Sequence, residues 1–88
     1  MSGTVTFTGG IGKLLLASRN AGCTVEQTQL HQGRMFTELF LNGRLVGQIN
    51  PSLNGYGVGV LEVNVGLLGM SGVVQIGTAL IADGGEYG

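Results

Sequence analysis

Charge is what this chain has least of. Only 10 % of its 88 residues are Asp, Glu, Lys or Arg, against about 25 % in an ordinary soluble domain. Lys13, Arg19, Arg34 and Arg44 are scattered among Glu26, Glu38, Glu62, Asp83 and Glu86. No basic stripe forms that would neutralise phosphates, so nucleic acid is not an expected partner. Tryptophan is absent, and Pro51 is the only proline. The lone Cys23 cannot form an internal disulfide, which points to synthesis in a reducing cytoplasm. Met1 to Gly10 shows no basic segment followed by an apolar run, so no secretory leader is expected. The most apolar tract, Tyr56 to Ala82, is interrupted by Glu62, Asn64, Gln75 and repeated glycines. It lacks the roughly 18 unbroken apolar residues of a membrane-spanning helix, and membrane is not an expected environment.

What is abundant is glycine and hydrophobic residues. Eighteen residues are Gly and 43 % are hydrophobic. Glycine at this density disfavours a helical bundle, because fixing it costs the most backbone entropy, and suits short strands joined by tight turns. Thr4 to Thr8 alternates Thr with Val5 and Phe7, the period-two pattern of a half-exposed strand. Gly9 and Gly10 end it. Ile11 to Arg19 reads either way: Leu14, Leu15, Leu16 and Ala17 favour helix and Asn20 or Gly22 offers a C-terminal cap, but no capping residue precedes the segment. Strand is the favoured reading. Cys23 to His31 reads as a mostly polar strand suited to a sheet edge.

The sharpest local signal is Met35 to Leu41, then Asn42-Gly43, then Arg44 to Ile49. Asn-Gly accepts the positive φ that a type I′ hairpin turn requires at both central positions. A two-residue loop sets Leu41 opposite Arg44, Phe40 opposite Leu45, Leu39 opposite Val46 and Glu38 opposite Gly47. One face then carries Phe36, Phe40, Leu45 and Gly47, the other Met35, Leu39, Leu41 and Val46. After Pro51, a second Asn-Gly pair at 54–55 leads into a strand over Tyr56 to Val65. Gly66 to Gly72 reads as a loop or bulge, Val73 to Ala82 as a last strand, and Asp83 to Gly88 as a polar, Gly-rich tail.

Residues suited to chemistry are few. Gly9 to Lys13 approaches a phosphate-binding loop but has Phe7 where the first Gly belongs and Leu14 where a metal-binding Ser or Thr belongs. Gly55, Gly57 and Gly59 likewise lack the final glycine of a dinucleotide fingerprint, since Glu62 occupies its place. Cys23 and His31 are the one thiol and imidazole available, and an extended chain would hold them about 26 Å apart. They cannot supply the four ligands of a structural zinc site. Glu38 and Glu62, each in an apolar strand, form the one carboxylate pair suited to acid and base work. A charge at an edge, or a salt bridge to Arg34 or Arg44, is the favoured reading of them. No enzyme, cofactor or metal is expected.

The expected architecture is all-β, a small antiparallel sandwich or open barrel of about six or seven short strands in one domain over residues 1–88, completed by oligomerisation. Three strands lack a wet face in this reading, and so small a chain cannot cover both sides of its sheet. The second faces are expected to meet other subunits, through Leu39, Leu41, Val46, Leu61, Val63, Val65, Leu67, Leu68 and Met70. A cyclic homo-oligomer, a trimer first, and a larger protein assembly are the expected partners. In its short, Gly-rich, near-neutral character the chain resembles small virion accessory proteins such as phage capsid decoration or tail components. That resemblance implies a structural role in a virion. The alternatives are a small ligand-binding barrel, with the Asn-Gly loops and Tyr56 holding a glycan or peptide, and a small protein inhibitor.

Overall fold

The computed structural model describes residues 3–29, 35–51 and 57–82. Five strands, β1 (Thr4–Gly10), β2 (Thr24–Gln29), β3 (Met35–Leu41), β4 (Arg44–Pro51) and β5 (Val58–Asn64), form one antiparallel sheet in the order β1-β5-β4-β3-β2. Helix α1 (Ile11–Asn20) connects the two edge strands, and α2 (Val65–Leu68) and α3 (Met70–Ala82) follow β5. The protein is mostly β, but β1 and β2 stand at opposite edges and the sheet does not close. The described residues hold five strands rather than six or seven, and the layer packed on the sheet is helical.

Two segments account for the difference. Ile11–Asn20 is helix, with Leu14, Ala17 and Ser18 buried along one face. The C-terminal cap is the one its sequence offered. Gly22 takes φ 92°, and the N–H groups of Gly22 and Cys23 return to the carbonyls of Arg19 (2.9 Å) and Ser18 (3.1 Å). The Ser18 hydroxyl donates back to the Leu14 carbonyl at 2.8 Å, which satisfies its buried oxygen. Met70–Ala82 is also helix where a strand over Val73 to Ala82 was expected. Its β-branched and glycine residues suggest a strand, yet its buried residues Val73, Ile76 and Leu80 recur at helical spacing. Val65, expected to end the preceding strand, instead begins α2, and the expected loop over Gly66 to Gly72 holds the rest of α2 and the first turn of α3, with the Asn64 side chain accepting from the Gly66 and Leu67 N–H groups at 2.9 and 3.3 Å.

The β3–β4 hairpin forms as its turn requires, with Asn42 at φ 54° and Gly43 at φ 79°. Leu41 pairs with Arg44 and Phe40 with Leu45, but Leu39 then pairs with Gly47 rather than Val46. Val46 is the extra residue of a β-bulge. This slip of one residue re-sorts the second half of β4. Val46 and Ile49 enter the core while Leu45 remains 46 % exposed. Gly47 is required where the bulge brings β4 against β5: a Cβ there would run into the backbone carbonyl oxygen of Glu62, with Val63 Cα at 3.1 Å.

The core lies between the sheet and the helices. Phe7 of β1, Leu39 of β3, Val46 and Ile49 of β4, and Leu61 and Val63 of β5 pack with Leu14 and Ala17 of α1 and Val73, Ile76 and Leu80 of α3. Residues alternating with these point to the other face of the sheet.

Candidate functional site

The sheet face turned away from the helices is the surface that the described residues leave open. Registers across all five strands set Thr6, Glu62, Gln48, Glu38 and Glu26 in one row. Thr8, Val60 and Asn50 stand on one side of it, with Phe36 opposite Thr28. On the other side stand Thr4 opposite Asn64 and Leu45 next to Phe40 and Thr24. Phe36, Phe40, Val58 and Val60 are half-buried rather than sealed. The face therefore presents an acidic line flanked by aromatic and β-branched side chains on a rigid frame.

Glu38 and Glu62, the carboxylate pair singled out by sequence, do share this row, two strands apart across Gln48. Their backbones are about 10 Å apart at normal strand spacing. Glu26 lies directly opposite Glu38, an arrangement of like charges that costs stability unless something offsets it. Of the described cations, Lys13 and Arg19 stand on α1 and Arg44 beside the β3–β4 turn.

A hollow of about 340 Å³ opens at the end of this face where β5 runs into α2. Leu45 and Leu67 form its lips, 46 % and 39 % exposed, while Val46 and Val63 are buried beneath. Gln48 and Glu62 supply polar groups on one side. The bulge at Val46 contributes to the depression by displacing the Leu45 end of β4 from regular register. Sequence reasoning missed this site because an Asn-Gly hairpin gives no sign of a bulge three residues further on.

Of the nine residues expected at an interface, Leu39, Val46, Leu61, Val63 and Leu68 are buried in the chain's own core, and Leu41 and Val65 pack partly against it. Leu67 and Met70 are exposed. Exposed Val74 follows Met70 by one helical turn on α3, a helix without a charged residue, and Leu16 projects from α1. Cys23 is buried at the end of α1, and burial pushes its thiol pKa up, which disfavours the nucleophilic thiolate. His31, Tyr56, the second Asn-Gly pair and the tail over 83–88 lie outside the described residues. Among the described residues no cluster of three metal-ligating side chains occurs, and no helix is long and apolar enough to cross a membrane. No family model, no curated protein and no solved structure matches the chain.

Proposed function

We propose that this protein is a non-enzymatic assembly subunit whose open sheet face docks on protein, first on further copies of the chain. The observation that carries this reading is the face itself. Five strands hold Phe36, Phe40, Val58 and Val60 half-exposed beside Leu45, with the other sheet face already filled by helices. Apolar side chains presented on a rigid frame, here on both sides of a polar row, are the material of an interface. With only 10 % charged residues, the rest of the surface offers little repulsion between copies. The acidic row repels phosphate backbones, which favours protein over nucleic acid as the partner. A virion accessory role, in capsid decoration or a tail, agrees with the same features.

The test is absolute mass by light scattering during gel filtration, over a dilution series. Species larger than one chain that persist on dilution are expected. A folded monomer at every concentration overturns the reading.

A further inference from the structure

The described carboxylates and the two cations of α1 lie on opposite layers of the molecule, with Arg44 beside the β3–β4 turn. All three described carboxylates, Glu26, Glu38 and Glu62, project from the open sheet face. On the helical side, α1 carries Lys13 and Arg19 three residues either side of Leu16. Positions three apart neighbour one another on a helix surface. Leu16 is 47 % exposed, opposite the buried face formed by Leu14, Ala17 and Ser18. The outer side of α1 is thus an apolar knob beside the exposed Arg19.

The hollow beside α2 is its complement. Its lips are Leu45 and Leu67, Val46 and Val63 lie beneath, and Glu62 stands at its side. Its volume, about 340 Å³, falls at the small end of the range of binding pockets, about 300–1,000 Å³. Two open faces packed on each other would set three carboxylates against three more. The reverse of α1 against the open face sets Arg19 against that row.

Resting on the assembly reading above, we propose that the hollow receives Leu16 of a second copy, with Arg19 of that copy turned toward Glu62. The contact is head-to-tail. Each subunit uses its helical layer toward one neighbour and its sheet toward the next, so copies build a stack or a ring rather than a two-fold dimer. Arginine suits this contact, since its weakly hydrated guanidinium pairs with carboxylates at interfaces at low desolvation cost.

Two variants test the contact. The knob variant combines Leu16→Asp with Arg19→Glu, and the hollow variant carries Leu67→Asp with Glu62 kept, so that the two altered surfaces repel each other. Circular dichroism and melting first establish that each is folded. Each alone is expected to lose self-association at least tenfold. Mixed, they retain one intact knob and one intact hollow between them and are expected to form a 1:1 dimer with nothing larger. A knob variant that associates like the unaltered protein, or a mixture that stays monomeric, overturns the head-to-tail contact while leaving the assembly reading intact. An unaltered protein that is itself monomeric overturns both. Should either variant fail to fold, the single substitutions Arg19→Glu and Glu62→Arg, alone and then mixed, put the same question.

Discussion

At the scale of single residues, Gly47 is the most constrained position. Its pairing with both Leu39 and Val63 places it at the centre of the sheet, next to the bulged Val46. Any side chain there meets the backbone of β5 rather than the yielding tip of a side chain. Gly47→Ala is therefore expected to destabilise the fold by about 1–3 kcal/mol, the usual cost of overpacking. In urea denaturation this appears as a lower midpoint at unchanged slope. The same position shows why the open face was illegible in the sequence. Without the bulge, the turn pairs Leu39 with Val46, and β4 reads as apolar on both sides. With it, Val46 and Ile49 both face the core, and Gln48 and Asn50 take the opposite side. One inserted residue thus restores the wet side of this strand.

At the scale of elements, the hairpin and the first strand could be read from turn chemistry and alternation, because both are local properties. The helices could not. Leu14 to Leu16 and the apolar residues Val73, Val74 and Ile76 have a period decided by what they pack against, and α1 and α3 pack against each other and the sheet. Tertiary burial overrides the weak strand preference of Val and Ile. Glycine substitution separates local preference from packing. A methyl group added at Gly12 in α1 would have nothing within 4 Å, whereas one added at Gly72 in α3 would lie 2.7 Å from Leu68 Cγ. Gly12→Ala is expected to stabilise by about 0.5–1 kcal/mol, the ordinary penalty for glycine inside a helix. Gly72→Ala is expected to bring no gain or a loss, since Leu68 is buried and must move. Thermal melts of the two variants side by side measure the contrast.

For the whole molecule, the separation of Glu26, Glu38 and Glu62 from Lys13 and Arg19 predicts how association responds to salt. Charges at a contact rim are screened within about 8 Å at physiological ionic strength and about 3 Å at 1 M. Raising salt from tens of millimolar toward 1 M is expected to weaken self-association in sedimentation measurements. Association strengthened by salt would indicate that apolar burial alone drives it. None of this polarity is legible in the sequence. Along the chain the charged residues are scattered without regard to sign, and the crossover of α1 over the sheet sets Lys13 and Arg19 apart from Glu26, Glu38 and Glu62.

That crossover also sets an order of events for a chain being made. Strands β2 to β5 follow one another as neighbours, so each can pair as soon as the next is available. β1 is synthesised first, yet its partner is β5: Thr4 pairs with Asn64, sixty positions later, and the Val65 N–H closes the junction on the Gly3 carbonyl at 2.8 Å. Closing so long a loop is the slow step for a small sheet. The amino-terminal strand is thus the last to be seated, and until then β5 has a vacant side where the same strand of another molecule can lodge.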